Sequence, residues 1–236
     1  KQVVHGVHLL LWGLNCLLES ISENIVIRKL QAKFLKPAGL DEKVTCQLIM
    51  DSPEKVSLEL RASKETALTA EIEFQREKNL HYLNDYEPKS VLFDNTGCAV
   101  INSENISKAE GGLELAMHRE TAMKLFAFVV KYAPSLQVAE ILATTRLIGM
   151  KCPGLHSVFY RMRMDFGKLE PGESLMQYKV VNYDGRFNLV TVEIVSPGAE
   201  GVITGFLRPM PSVQSSIEKV QEKVDSTSFS GQVALI

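Results

Sequence analysis

One stretch constrains this chain more than any other: VVHGVHLLLWGLNCLLES, residues 3–20. At helical period, Val7, Leu9, Leu10, Leu11, Trp12, Leu14, Leu17 and Leu18 cover most of the cylinder instead of forming one stripe. A helix that is apolar on all sides has to be enclosed. At about fifteen residues it falls short of the roughly 20 that cross a bilayer. The enclosure must therefore come from the protein itself. The means exist: 45% of the 236 residues are apolar and 23% are charged, enough for one large domain or two smaller ones.

After this helix the pattern changes to period-two alternation, the signature of half-buried strands. KLQAKFLKP leads through AGLDEK to VTCQLIMD, KVSLELRAS and ALTAEIEFQ, with turn residues at Pro37-Ala38-Gly39, Asp51-Ser52-Pro53 and Ser63-Lys64-Glu65. The same order returns later. CPGLHSVFYRMRMDF passes through EPGES to LMQYKVVNYD, FNLVTVEIVS and GVITGFLRP, and Asp184-Gly185 marks a hairpin. Phe34 and Phe166 take matching places, and each half starts from a histidine, His5-Gly6 and His156-Ser157. A duplicated unit of one helix and an antiparallel sheet is expected, with a groove between the halves. His156 is expected to cap or orient the second helix. In YRMRMDF, alternation puts Met162 and Met164 on one strand face and Arg161 and Arg163 on the other. Pro134 splits RETAMKLFAFVVKYA from SLQVAEILATTRLIG, which reads as two helices.

These residues resemble the MaoC-like branch of the hotdog fold, the R-specific enoyl hydratases and dehydratases. The match lies in Val3-Val4-His5-Gly6 at the start of the helix and in Phe34-Leu35-Lys36-Pro37-Ala38-Gly39-Leu40-Asp41 at the turn between strands. It covers the first 75 residues well and the second repeat more loosely. The resemblance implies an α+β double hotdog, two curved antiparallel sheets each wrapped around a central helix. It also implies reversible addition of water to a 2-enoyl thioester carried on coenzyme A or acyl carrier protein. In that chemistry negative charge builds on the thioester oxygen. Unpaired N–H groups and the positive end of a helix stabilise it. The resemblance assigns that donor to Gly6, where glycine lets substrate approach the backbone, and gives His5 a mainly structural part beside the substrate.

The Asp and His of the family's acid-base segment would precede residue 1, so no catalytic residue is assigned within these residues. Residues 1–236 alone are expected to be inactive. Ahead of His156, aligning Pro134 with the motif proline puts Lys131, Ala133 and Leu136 at the Asp, Asn and His positions, and Ser157 in place of the glycine. The second half thus reads as a degenerate copy. The expected organisation is a first hotdog unit at 1–75, lacking its N-terminal segment, a linker at 76–118, a degenerate unit at 119–211, and a helical linker with a strand at 212–236. FSGQVALI at the end reads as a terminal strand or as the first strand of a short-chain dehydrogenase/reductase; no Gly-rich loop follows it, so no nucleotide site is assigned.

The formal net charge of −2 gives no electrostatic reason to expect nucleic acid or a membrane surface as partner. Expected partners are the acyl thioester and, where the substrate is so carried, acyl carrier protein; a homodimer stays open. Cys16, Cys46, Cys98 and Cys152 are scattered and read as reduced structural thiols in a cytoplasmic protein. His5 and His8 stand at i and i+3 with no third ligand, so no metal and no resident cofactor is expected; His8 reads as a packed polar residue, and His81 and His118 receive no role. A non-catalytic acyl-binding or dimerising module attached to a reductase is the alternative reading.

Overall fold

The computed structural model describes residues 3–78, 88, 97–101, 103–167 and 174–209, together with Ser216, Lys219 and Glu222. The expectations for His81, the EPGES turn and the FSGQVALI strand lie, wholly or in large part, outside the described residues.

Strand β1 (Val3–Val4) leads into helix α1 (Gly6–Ile21), then β2 (Ile25–Phe34), β3 (Ala38–Gly39), β4 (Val44–Ser52), β5 (Lys55–Ala62) and β6 (Glu65–Arg76). After α2 (Ser103–Ile106) and β7 (Glu110–Glu114) come three helices, α3 (Arg119–Leu125), α4 (Ala127–Tyr132) and α5 (Ser135–Arg146). A single π turn (Leu147–Lys151) extends α5. Then come β8 (Ser157–Phe166), β9 (Leu175–Asp184), β10 (Leu189–Val195) and β11 (Ala199–Leu207). The α+β class and the alternating runs read from the sequence are both present. Among the described residues no helix is long and apolar enough to cross a membrane.

The nine long strands form one antiparallel sheet in the order β4-β5-β6-β2-β8-β11-β10-β9-β7. Two sheets placed side by side were expected, and here they are continuous. They are joined because β2 and β8 pair directly, with Gln31 opposite Arg163 at the middle of their register. About this seam the halves match strand for strand: β2 with β8, β6 with β11, β5 with β10 and β4 with β9. Even the irregularities repeat. Arg28 is the extra residue where β2 pairs with β6, and Tyr160 is the extra residue where β8 pairs with β11. Asp51 in β4 and Val181 in β9 do the same in the outer hairpins. A bulge bends its strand and re-aims the side chains beyond it.

One face of the sheet is buried beneath the helices. Helix α1 lies against β4, β5 and β6 and touches α4 and α5, and α5 lies against β11. Val7, Leu9, Leu10, Leu11, Leu14, Leu17 and Leu18 are buried, as the apolar cylinder demands; Trp12 and Cys16 are only partly covered. Met162 and Met164 are fully buried while Arg161 and Arg163 are exposed, so the alternation of β8 holds.

The second helix corrects the sequence reading. Ser157 opens strand β8, and His156 precedes it, so neither begins a helix. The counterpart of α1 is α5, and its first cap is Pro134, with φ −59° and ψ 130° against −63° and 137° at His5. Proline suits this place because its ring presets φ and it has no N–H to leave unpaired. It follows that Lys131 and Ala133 end α4 and do not sit in a strand-to-helix motif. Lys131 instead lies over the Tyr132 ring.

Candidate functional site

The structure brings together the two stretches that carried the resemblance. Val3 pairs with Gly39 and Val4 with Ala38, which clamps the start of α1 to the Pro37-Ala38-Gly39 turn. Phe34, the last residue of β2, lays its ring against Gly6: a Cβ there would sit 2.5 Å from Phe34 Cδ1. Any side chain at residue 6 would therefore have to displace the Phe34 ring. That ring in turn contacts Phe159 of β8, with centroids 4.7 Å apart. Phe159 comes from the other half, so the start of α1 sits at the seam.

His5 caps α1 with extended backbone and contributes no side-chain hydrogen bond to the helix. Its ring is turned away, with Nδ1 2.9 Å from Thr145 Oγ1 near the end of α5. The first turn of α1 holds no acidic residue. The first helical hydrogen bond runs from Leu9 N–H to His5 C=O. The N–H groups of Gly6, Val7 and His8 therefore precede the helical ladder, and the positive end of the helix is uncompensated by a side chain. His5 and His8 are exposed and Gly6 is half-buried. The His8 ring meets Phe126 edge-on at 4.9 Å, so the packed contact expected of it exists although the residue as a whole is exposed. Partial burial, with His5 nearby, holds the His8 imidazole below its ordinary pKa.

The corresponding end of α5 is closed. Ser135 and Leu136 are buried, and Leu136 packs against Gly198 in the turn between β10 and β11. One of two equivalent helix ends is thus partly exposed, at His5 and Gly6, and the other is sealed.

Sequence reasoning missed three side chains that shape this region. Asn15 Oδ1 accepts from the N–H groups of Phe128 and Val129 at 2.9 and 3.3 Å, capping α4 from α1. Gln137 exchanges two hydrogen bonds with the Ile27 backbone, 2.9 and 2.8 Å, next to the Arg28 bulge. Glu140 is wholly buried and accepts from Ser196 Oγ and Gly198 N–H. The signal was available for the last two: polar residues three apart inside the apolar run SLQVAEIL.

On the opposite face a groove of about 490 Å³ crosses the seam, with Lys33, Arg161 and Arg163 on one side and Glu59 and Glu71 on the other. Arg163 is paired with Asp165 at 3.1 Å. Among the described residues no group of three or more His, Cys, Asp or Glu could hold a metal ion.

No family model matches the sequence, and no curated protein matches it. Solved structures similar to this chain include a MaoC-like dehydratase, 9% identical, with a TM-score of 0.49 over 87% of this chain and 84% of that one. A tesB protein of Mycobacterium avium subs paratuberculosis is 10% identical, with a TM-score of 0.47 over 88% of each chain. HtdX of Mycobacterium tuberculosis is 9% identical, with a TM-score of 0.47 over 88% of this chain and 89% of that one. At these identities and TM-scores the functional reading rests on the residues of the site itself.

Proposed function

We propose that this chain is a double hotdog domain that binds acyl thioesters and takes part in hydration of 2-enoyl, or dehydration of 3-hydroxyacyl, thioesters. The observation that carries the reading is the start of α1: a helix end with no side-chain cap, at the seam of a duplicated fold, partly exposed in one half and sealed in the other. Backbone N–H groups so placed favour an oxygen that gains negative charge, and they need no reorganisation to do so.

In hydration, water oxygen bonds to the β-carbon and the α-carbon takes a proton. Between these events charge rests on the thioester oxygen, where Gly6 N–H donates to it. Phe34 and Phe159 offer apolar surface beside that point for the acyl chain. His5, tied to Thr145, positions the helix end and leaves acid-base work to an Asp and a His that the resemblance places ahead of it in the polypeptide.

The test removes the donor while keeping the helix. Proline is accepted at the first helical residue, and the extended backbone of His5 suits a following proline. Because any side chain at residue 6 meets Phe34, the comparison is Gly6→Pro/Phe34→Ala against Gly6→Ala/Phe34→Ala in the longest natural form of the polypeptide. Loss of absorbance of a short 2-enoyl-CoA reports hydration. The proline variant is expected to be slower by about 10²–10³-fold, the usual cost of one oxyanion donor. Equal rates would remove Gly6 from the mechanism. Binding without turnover in the parent form would favour the acyl-binding module.

A further inference from the structure

The sealed end of α5 shows what the matching place beside α1 is built to bind. On β2, Glu77 N–H donates to Asn24 C=O. By the alternation of an antiparallel ladder, Val26 is the next residue bonded to β6. Ile27 therefore turns its N–H and C=O away from β6, toward β8. The β2–β8 register stops short of it, at Lys29 opposite Asp165. Gln137, the third residue of α5, takes both groups: Oε1 accepts from Ile27 N–H and Nε2 donates to Ile27 C=O.

Strand β8 repeats this geometry. Arg208 N–H donates to His156 C=O, so Val158 is the next residue bonded to β11 and Phe159 turns its backbone groups toward β2. The register with β2 stops short here too, at Lys33 opposite Arg161. Ile27 precedes the extra residue Arg28, and Phe159 precedes the extra residue Tyr160. The helices correspond as well. α1 follows His5 as α5 follows Pro134, so His8 holds the place of Gln137. His8 does not fill it. Its ring lies against Phe126, and among the described residues no side chain bonds to the Phe159 backbone. Ile27 is fully buried, whereas Phe159 is only partly buried, with its ring against Phe34 beside Gly6.

We infer that the N–H and C=O of Phe159 form an amide-binding subsite for the arm that carries the acyl thioester, an assignment that rests on the acyl-thioester reading of the same site. Partly buried backbone groups need partners. The equivalent pair at Ile27 is met by an amide, which both accepts and donates without charge; a carboxylate only accepts and an ammonium only donates. Coenzyme A and acyl carrier protein present acyl groups on the same pantetheine arm, which has amides close to its sulfur. An arm carbonyl on Phe159 N–H and an arm N–H on Phe159 C=O hold the thioester beside the start of α1.

Two probes test this in the longest natural form of the polypeptide: butyryl-pantetheine, and ethyl thiobutyrate, which has the same thioester and no amide. Neither has a double bond to hydrate, so binding is read apart from turnover. Butyryl-pantetheine is expected to bind about tenfold tighter, the worth of two ordinary hydrogen bonds, and to slow hydrogen exchange of the Phe159 amide. His8→Gln recreates the second-half contact. In that variant the Phe159 amide should be protected without ligand, and the preference for butyryl-pantetheine should vanish; His8→Ala should keep the preference. Equal affinities in wild type, or no binding of either probe, overturn the inference whether or not the variants fold. So does a preference that survives His8→Gln or is lost in His8→Ala. Hydration of a 2-butenoyl thioester is assayed separately. The preference without hydration keeps the subsite and removes the reaction, and hydration without the preference does the reverse.

Discussion

Glu140 Oε1, midway along α5, accepts a hydrogen bond of 2.7 Å from the backbone N–H of Gly198, fifty-eight residues further along the chain in the turn between β10 and β11. Ser196 Oγ donates to the same oxygen at 2.7 Å, while Oε2 has no partner among the described residues. Burial pushes this carboxyl up to about 7 from 4.5, against the opposing pull of Ser196 and Gly198.

The folded protein therefore holds the Glu140 proton more tightly than the unfolded chain does. This contribution to stability is complete below about pH 4.5 and is lost as pH rises through about 7. Its size is about 3 kcal/mol. Glu140→Gln cannot titrate. Denaturant unfolding of wild type and variant at about pH 4.5 and about pH 8 should show wild type losing about 3 kcal/mol relative to the variant on the alkaline side. A pH-independent difference would mean that Glu140 is not buried as a neutral acid.

Gln137→Leu removes both partners of Ile27, a fully buried residue of β2. A buried polar group left unpaired costs about 1–3 kcal/mol, so the variant, with two such groups, should lose about 2–6 kcal/mol in denaturant unfolding. The Ile27 amide should also gain the most in hydrogen exchange. An unchanged Ile27 amide would show that the bulge holds its shape without the Gln137 side chain.

Thiol chemistry should follow burial. Desolvation pushes Cys46 up to about 12, with Cys16 adding to the rise, and pushes the fully buried Cys152 to about 11. Only about 10⁻⁴ of a thiol with pKa 12 is ionised near pH 8. Exposed Cys98 should therefore react first with iodoacetamide, half-buried Cys46 far more slowly, and buried Cys152 only on unfolding. Mass spectrometry of timed samples reads the order directly. Labelling of Cys46 as fast as that of Cys98 would show that its surroundings do not hold the thiol neutral.

The first half was legible because its signals are local. The cylinder of leucines in α1, the alternation of β4, β5 and β6, and the glycine and proline turns each depend on residues within one element. Phe34 and Gly6 were both marked by the resemblance, but the close approach of the Phe34 ring to Gly6 was not legible, because the two residues lie on different elements. In the second half SLQVAEILATTRLIG was read as a helix, but the start of the repeated helix was placed at His156, because α5 carries Gln137, Glu140 and Thr144 inside its apolar pattern and does not look like α1. Such residues weaken a periodicity argument, and they are buried here because partners far away in sequence satisfy them.

By itself the sequence determined the period of each segment, the duplication and the places where the chain turns, since these follow from side-chain polarity and backbone preference over a few residues. Only the tertiary structure decided that β2 and β8 fuse the halves into one sheet, that Gln137 and Glu140 can lie in the core, and that one helix end is sealed while its counterpart is partly exposed. Each of those depends on hydrogen bonds and contacts between residues remote in the chain. Their free energy exists only once the backbone has brought both partners out of water together.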